Sequence, residues 1–363
     1  MAKKNKIQEL RDAMNASFRE RDEVVDGMLA ALLSKQMLFL LGPPGTGKSA
    51  ICEALCSSIG GSYFSWLLSK FSTPEELFGP VSMKGYENDE YRRVTKHKLP
   101  EASVAFLDEI FKGSSAILNT LLPVINERTF YNGSGPERIP LQVLFGASNE
   151  IPQGEELAPL WDRFVLRYVV SPMSDSAMED LILNGLKLNL PKLSEKELME
   201  EQEKAQAVKL PSDIVKIILE IRKAISNEGI YVSDRKWNQI IPVIKAYAHV
   251  SGHSEVTADD LAILSNVLWN QPEEQKRIKK LVAKYSNPMG EQILKYLDAA
   301  VELEILVDAK KVDAGEAQKK IKDGLKALKS LGDPEQNQSL KKAIARVNQI
   351  NLKVVKEHLG LEL

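Results

Sequence analysis

The chain has 363 residues, 44% of them hydrophobic, so it is long enough to bury one large core or two or three modest domains. Its 48 Lys and Arg residues nearly balance its 50 Asp and Glu residues, which excludes a strong overall attraction to nucleic acid or to an anionic membrane. No apolar stretch is long enough to span a membrane and no signal-peptide core follows MAKKNK, so we expect a cytoplasmic protein.

The first half of the chain alternates between helical and strand patterns. Apolar residues at helical spacing over 7–34 predict two helices, and the run MLFLL that follows predicts a buried parallel strand. Residues 48–60 predict a third helix. Two more buried strands are predicted at 103–109 and 142–150, with a helix over 114–130 between them. This alternation predicts a doubly wound α/β domain, which we assign to residues 1–172.

The strand pattern ends after Pro172. Amphipathic patterns then predict five helices, at 174–187, 194–208, 212–228, 234–250 and, after a Thr257 N-cap, 258–269. We therefore assign an all-α lid domain to residues 173–270.

The remaining residues, 271–363, are rich in Lys and Glu. Helical spacing over 293–307 and 340–359, with a break at GDPEQ (332–336), predicts a helical C-terminal region. Two interpretations are open: these helices pack as a small bundle or against the rest of the molecule, or they form a docking platform for a partner.

The segment that follows the first strand, GPPGTGKS, fits the pattern G-x-x-x-x-G-K-[ST]. It comprises Gly42, Pro43, Pro44, Gly45, Thr46, Gly47, Lys48 and Ser49. Its glycines allow backbone N–H groups to surround an anion, and the next helix directs its positive end to the same place. We expect Lys48 to contact the β and γ phosphates and Ser49 to bind Mg²⁺. A chance glycine-rich turn is the alternative, but the motif follows a strand and opens a helix.

Two later strands end in polar residues suited to hydrolysis. In VAFLDEI, Asp108 is a candidate for the Mg²⁺ shell and Glu109 for the general base, provided that the strand ends there. In GASNE, Asn149 is a candidate to hold the attacking water. The simpler alternatives are acids that cap the next helix and an Asn that forms a turn. No guanine-reading [NT]-K-x-D segment is present, so ATP is the predicted nucleotide.

Six segments together resemble the AAA+ ATPases of the MoxR group, specifically the RavA-like branch. They are LFLLGPPGTGKS, FSTPEELFGPVS, KLPEASVAFLDEIFKGSSAILNTLLPVINERTFYNG, LFGASNEIP, LWDRFVLR and YVSDRKW. The resemblance runs from about residue 17 to 270 and implies a hexameric ring with Mg²⁺-ATP sites between subunits. It implies that Lys48 and Ser49 belong to Walker A, Asp108 and Glu109 to Walker B, and Asn149 to sensor 1.

The resemblance also implies two arginines that act on the nucleotide. Arg163 resembles the arginine finger that reaches a neighbour's γ phosphate, and Arg235 resembles sensor 2, acting in cis or in trans. Arg128 and Arg167 are competing candidates for the finger. The alternatives are a structural ion pair of Arg163 with Asp162 or another acid, and a solvated helix face for Arg235.

Two inserts also match the family. Residues 72–100 resemble the helix-2 insert, and residues 129–140 resemble the hairpin before sensor 1, whose tip would use Asn132-Gly133 and Ser134-Gly135. Relatives direct such elements toward the ring pore or the partner face, so both are candidates for substrate contact. The small excess of Lys and Arg in 72–100 fits either a nucleic-acid grip or, more simply, a solvated hairpin.

Taken together, the resemblance implies an ATP-hydrolysing homo-hexamer that remodels or matures protein complexes in a chaperone-like manner. Its expected partners are a von Willebrand factor A (vWA) domain protein and a protein substrate that the sequence does not identify. Two alternatives are a nucleic-acid-translocating motor and a non-hydrolysing, nucleotide-gated scaffold. The near-neutral charge disfavours the first, and Glu109, Asn149 and Arg163 together disfavour the second.

Two residue pairs at i,i+4 spacing are candidates for metal ligands, namely Cys52 with Cys56 and His249 with His253. We expect the cysteines to pack as small apolar residues, and no third ligand is evident beside the histidines.

Overall fold

The computed structural model describes residues 5–133, 135–152, 154, 157–286, 288–334 and 338–358. The chain divides into two compact units, one of residues 1–215 with 229–275 and the other of residues 216–228 with 276–363. Three predicted features fall partly outside the described residues: Ser134 of the hairpin tip, residues 335–336 of the predicted break, and residue 359 at the end of the last predicted helix.

The first unit is built on a parallel sheet with the strand order β2-β3-β6-β1-β7. The strands are β1 Met37–Leu41, β2 Tyr63–Leu67, β3 Val104–Asp108, β6 Val143–Ser148 and β7 Phe164–Val169. The three interior strands, β3, β6 and β1, are the ones that the apolar runs predict, and they are almost entirely buried. The two outer strands are not predicted by those runs. The parallel sheet confirms the predicted α/β class.

Helices pack on this sheet and continue into the predicted lid segment. They are α1 Lys6–Ser17, α2 Asp22–Ser34, α3 Lys48–Ser57, α6 Ser115–Glu127, α7 Ala158–Trp161, α8 Asp175–Asn184, α9 Glu195–Ala207 and α11 Asp234–Ser251. α2 packs on β1 and β7, α11 packs on α2, and α3 packs on β3. The helix α10, Ser212–Asn227, crosses the boundary between the two units, as does α12, Pro272–Ser286.

The predicted helix after Thr257 is a 3-10 helix, Asp259–Asn266. The Asp260 carboxylate accepts hydrogen bonds from the backbone N–H of Thr257 (2.8 Å) and from its hydroxyl (2.9 Å). This side chain also lies 2.9 Å from the His253 ring. The Thr257 hydroxyl thus donates to Asp260, and the 3-10 helix begins after Ala258 without a side-chain cap.

The two inserts contact each other. Residues 72–100 contain two short helices, α4 Pro74–Phe78 and α5 Met83–Glu87, and the hairpin pairs β4 Thr129–Asn132 with β5 Gly135–Arg138. The Asn132 side chain accepts a hydrogen bond from the backbone N–H of Arg93 (2.7 Å), so hairpin and insert form one surface.

The second unit has a three-helix core of its own. It is formed by α13 Pro288–Asp308, α14 Ala314–Ser330 and α15 Gln338–Lys353, which continues into a π-helix, Val354–His358. Buried apolar side chains from all three helices form one cluster, including Ile293, Ile321 and Val347. The sequence patterns predict α13 and α15 but not α14 as a separate helix. No helix among the described residues is both long and apolar enough to cross a membrane.

Both cysteines lie on α3, next to the sheet. Cys52 and Cys56 are free thiols and are buried. Burial raises the pKa of each thiol well above its ordinary value.

Gly27 allows α2 to lie close to β7, and its replacement by Ala gives a test of this packing. A Cβ at Gly27 would lie 2.2 Å from the Tyr168 ring, which is itself buried. We expect Gly27→Ala to lower the free energy of unfolding by about 1–3 kcal/mol through overpacking. Urea unfolding followed by circular dichroism measures this.

The matched control is Gly324→Ala, also within a helix, where the nearest atom to a new Cβ is 3.7 Å away. It should leave stability unchanged or raise it by up to about 1 kcal/mol. Equal effects of both substitutions would contradict the close approach of α2 to β7.

Candidate functional site

The carboxyl ends of β1, β3 and β6 meet at one edge of the sheet. Leu41 at the end of β1 is paired with Ser148 at the end of β6, and Leu107 of β3 is paired with Gly146. The backbone N–H of Gly42 then donates to the Ser148 carbonyl (3.1 Å). The loops after these three strands, which hold the predicted nucleotide residues, are therefore neighbours.

The loop after β1 has the shape of an anion cradle. Gly45 and Gly47 have positive φ, 81° and 83°, and no atom lies within 4 Å of the position where a Cβ would be. Gly42, in contrast, lies against the Val170 carbonyl, which would be 2.2 Å from a Cβ. The Lys48 ammonium folds over this loop and donates to the carbonyls of Gly42 (2.7 Å) and Pro43 (3.0 Å). Gly45 and Gly47 thus border open space, and their left-handed backbone is the conformation that an anion-binding nest uses.

Asp108 and Glu109 lie at the end of β3, beside the start of α3. The Ser49 hydroxyl donates to Asp108 Oδ2 (3.2 Å), and the backbone N–H of Glu109 donates to Asp108 Oδ1 (3.0 Å). The strand ends at Asp108, and Glu109 has left-handed backbone with φ of 50°. Because the strand stops, the alternation that would send the two carboxylates to opposite faces does not apply.

The Glu109 carboxylate is held at one oxygen. Its Oε2 accepts a hydrogen bond from the Ser148 hydroxyl (3.2 Å) and lies 3.3 Å from the Lys112 ammonium. Next to Ser148, the side-chain oxygen Oδ1 of Asn149 is buried and has no hydrogen-bond partner. An unsatisfied buried acceptor is costly, so Asn149 Oδ1 is a group that a bound molecule or water would satisfy.

Arg163 lies at the opposite edge of the sheet. It directly precedes β7, whose first residue, Phe164, is paired with Met37 at the amino end of β1. The five residues of β1 then separate it from the phosphate loop by about 16 Å, at the usual rise of a strand. Its Nη1 donates to the Pro159 carbonyl (3.0 Å), while its Nε is buried without a partner.

Arg235 lies beside Arg163. It forms a salt bridge with Asp162, the residue before Arg163. Burial lowers the pKa of Arg163, and the nearby charge of Arg235 lowers it further. Asp162 is thus paired with Arg235, and the Arg163 guanidinium lies near this pair, so the three groups together carry a net positive charge.

Arg167 and Arg128 are bound by backbone carbonyl groups. Arg167 is fully buried and donates to the carbonyls of Phe164 (3.0 Å), Trp161 (2.9 Å) and Trp269. Burial lowers the pKa of Arg167 to about 9 and that of Arg128 to about 10. Arg128 donates to the Lys35 carbonyl (2.7 Å), at the amino end of β1. Both guanidinium groups thus satisfy backbone acceptors of this chain.

Three residues near the site were not predicted from the sequence. Arg21, at the start of α2, donates to the carbonyls of Ser171 (2.7 Å) and, more weakly, Thr46 of the phosphate loop (3.4 Å). Lys112 contacts Glu109, as described above, and Lys236 is buried on α11 next to Arg235. Lys112 and Lys236 stand in two of the segments that carry the family resemblance, but none of the three belongs to the phosphate-loop or strand-end motifs. A charged residue at such positions is ordinarily solvated.

Comparison with known proteins identifies relatives along most of the chain. A family model of the MoxR domain in the MoxR-vWA-beta-propeller ternary systems matches residues 5–209, and a model of an AAA lid domain matches residues 213–282. An uncharacterized protein of Methanocaldococcus jannaschii is 39% identical over 296 residues, which are 80% of this chain and 77% of that protein. The chaperone MoxR1 of Mycobacterium tuberculosis is 26% identical over 167 residues, 45% of this chain and 43% of that protein.

A crystal structure of a proposed ATPase from Cytophaga hutchinsonii has the same fold. It aligns with a TM-score of 0.62 at 16% sequence identity and covers 77% of this chain and 93% of that one.

The different surroundings of Arg167 and Arg163 lead to different expected effects on stability. Arg167→Met leaves three buried carbonyl groups without their donor, so we expect the free energy of unfolding to fall by about 2–4 kcal/mol. Arg163→Met removes one bond to Pro159, and we expect a loss below about 1 kcal/mol. Urea unfolding of both variants measures the difference, and similar losses would contradict a structural role specific to Arg167.

Proposed function

The chain belongs to the MoxR family of AAA+ ATPases, and from this premise we propose that it hydrolyses ATP to ADP and phosphate with Mg²⁺. The observation that carries the proposal is the meeting of four side chains at one sheet edge. The Ser49 hydroxyl donates a hydrogen bond to Asp108, and Glu109 accepts one from Ser148, the residue before Asn149. A phosphate cradle alone binds a nucleotide, whereas this set also supplies a metal carboxylate, a base and a water-orienting amide.

The residues of the loop fit a magnesium-bound triphosphate. The open space beside Gly45 and Gly47 suits an anion held by backbone N–H groups, and Lys48 can exchange its two carbonyl partners for phosphate oxygens. Ser49 and Asp108 would hold Mg²⁺, since hydroxyl and carboxylate oxygens are ligands that this ion prefers. When bound, the ion would neutralise part of the charge on the phosphates.

The catalytic step follows from the residues at the ends of β3 and β6. Asn149 Oδ1, which has no partner within the protein, accepts a hydrogen bond from the attacking water and orients it. The water oxygen bonds to the γ phosphorus as the bond to ADP breaks, and Glu109 accepts the proton. The protonated Glu109 side chain then releases that proton to solvent or to phosphate.

We propose that Arg163 and Arg235 both act on the nucleotide of a neighbouring copy. Five residues of β1, about 16 Å at the usual rise of a strand, lie between Arg163 and the phosphate loop of its own chain. This separation exceeds the length of an arginine side chain, which supports a role for Arg163 at the loop of a neighbouring copy. The salt bridge of Arg235 with Asp162 keeps it at the same corner. Paired guanidinium groups with a net positive charge suit a phosphate. We propose the assembly to be a homo-hexameric ring, as the family resemblance implies.

The biological role that we propose is chaperone-like remodelling of protein complexes with a vWA domain partner. It is supported by the family model, which is described for MoxR-vWA-beta-propeller systems, and by the similarity to a chaperone, MoxR1. The assignment to the RavA-like branch and the cytoplasmic location remain predictions from the sequence.

We propose that the protein substrate contacts the surface formed by the two inserts. The Arg93–Asn132 hydrogen bond joins them, and three tyrosines on this surface are well exposed: Tyr86, Tyr91 and Tyr131. Exposed aromatic side chains gain much buried area on contact with a polypeptide, so they are suitable anchors.

The role of Glu109 as the base leads to a separation between binding and turnover. Glu109→Gln keeps the shape and the Ser148 contact but cannot accept a proton, so we expect ATP hydrolysis to fall by at least about 100-fold while ATP affinity changes less than about threefold. Phosphate release and fluorescent-nucleotide titration measure the two quantities. Hydrolysis at the parent rate would refute the assignment of the base, and stimulation of the parent by DNA would instead favour the nucleic-acid motor.

Action in trans predicts complementation between two inactive proteins. Arg163→Ala and Lys48→Ala should each lack turnover, because one has no finger and the other has no phosphate lysine. In a mixture, the intact loop of an Arg163→Ala copy can receive Arg163 from a Lys48→Ala neighbour, so we expect part of the activity to return. Arg235→Ala should be complemented by Lys48→Ala in the same way. A mixture with no activity, at concentrations where the copies assemble together, would contradict the trans role.

A further inference from the structure

Lys112 lies one turn beyond the proposed base. It ends the 3-10 segment Ile110–Lys112, and its backbone N–H donates to the Glu109 carbonyl (2.8 Å). This closed turn brings the Lys112 ammonium to within 3.3 Å of Glu109 Oε2. The Ser148 hydroxyl donates to the same oxygen (3.2 Å). The Ser148 hydrogen bond and the Lys112 ion pair therefore both fall on Oε2, and Oε1 is the oxygen that they leave to accept a proton.

The turn that contains Lys112 is held in place by the aromatic side chain of its middle residue, Phe111. The Phe111 ring packs against those of Phe39 and Trp161, with centroid distances of 5.2 Å and 6.0 Å. β6 pairs with β1, the strand that contains Phe39. Ser148 at the end of β6 and the turn that contains Lys112 are therefore both held next to β1. The packed turn therefore keeps the backbone of Lys112 next to Glu109.

The Lys112–Glu109 pair is poorly suited to stabilise the fold. The Lys112 side chain is 44% exposed, whereas that of Glu109 is 15% exposed. Ion pairs with an exposed partner contribute little to folding, because water screens the attraction and ordering the lysine costs entropy. The contact can, however, fix the rotation of a carboxylate that stands in a shielded position.

We propose that Lys112 is a positioning residue for the hydrolysis described above. Together with Ser148 it holds Oε2, so that Oε1 faces the water that Asn149 orients. In the reaction the water oxygen bonds to the γ phosphorus, the bond to ADP breaks, and the proton passes to Oε1. This inference rests on the proposed function of Glu109, because a carboxylate that takes no part in turnover would need no alignment.

Steady-state hydrolysis by the full chain tests this role through the separate effects on kcat and KM for ATP. Lys112→Met keeps the length of the side chain but removes the donor, so we expect kcat to fall about tenfold and KM to change less than about twofold. Lys112→Arg supplies a donor to the same oxygen and should keep most of the parent kcat. The matched control is Lys196→Met, a change to an exposed lysine on α9, which should leave both constants unchanged.

The outcomes distinguish this inference from the function on which it rests. If Glu109→Gln is inactive but Lys112→Met keeps the parent kcat, the positioning role is wrong and the base assignment stands. A rise in KM at constant kcat, or a failure of Lys112→Arg to exceed Lys112→Met, would likewise overturn it. If Glu109→Gln itself turns over at the parent rate, the proposed function fails first. Thermal unfolding midpoints close to that of the parent confirm that the variants are folded.

Discussion

β1 pairs with β6 on one side and with β7 on the other, and this pairing fixes the positions of the residues at both ends of the strands. It aligns the ends of β1 and β6, so Gly42 and Ser148 are adjacent and the loops after them meet. At its amino end, β1 pairs with the start of β7, which places Arg163 at the opposite edge of the sheet from the phosphate loop. Because a strand cannot be shortened without breaking its hydrogen bonds, one chain holds the phosphate loop and Arg163 at a fixed separation. A complete site as we propose it is therefore a property of an assembly.

An aromatic core connects these two ends within the first unit. Phe39 of β1 contacts Phe111, which follows the proposed base, and also Trp161, which precedes Asp162 and Arg163. The buried Arg167 guanidinium stacks 4.1 Å from the Trp161 ring, and Trp269 at the end of the lid segment packs on its edge. Interiors packed at this density do not deform gradually. A displacement at the base would thus meet the same side chains that support the arginines.

The parts of the fold that the sequence predicts well are those in which one local property decides the structure. β1, β3 and β6 are buried on both faces and have unbroken apolar runs, so their positions follow from composition alone. β2 alternates between exposed and buried residues, and β7 contains Arg167 in its centre, so neither has that signature. Arg167 is tolerated there because it donates to three carbonyls, two of them from the preceding residues Trp161 and Phe164 and one from the distant Trp269. The contact with Trp269 is one that no local pattern can encode.

The candidate site divides in a similar way. The phosphate loop and the acids after β3 follow from motifs, because backbone and metal chemistry demand those residues at that spacing. Nothing in the sequence distinguishes Arg128, Arg163 and Arg167. Their surroundings do: Arg128 and Arg167 each donate to several carbonyls, whereas Arg163 donates to one and has a buried Nε without a partner. Lys112 is ordinary in sequence and becomes notable through a turn that folds it back over Glu109.

The burial of Cys52 and Cys56 has a practical consequence for work in solution. These are the chain's two cysteines, and both thiols are shielded by the sheet and have raised pKa values. Thiolate is the species that reacts with maleimides and with oxidants, so the native protein should be slow to label or to form mixed disulfides. A single cysteine placed on the surface would then be the one fast-reacting thiol, which makes the unaltered chain a ready background for attaching a fluorophore or spin label at a chosen position.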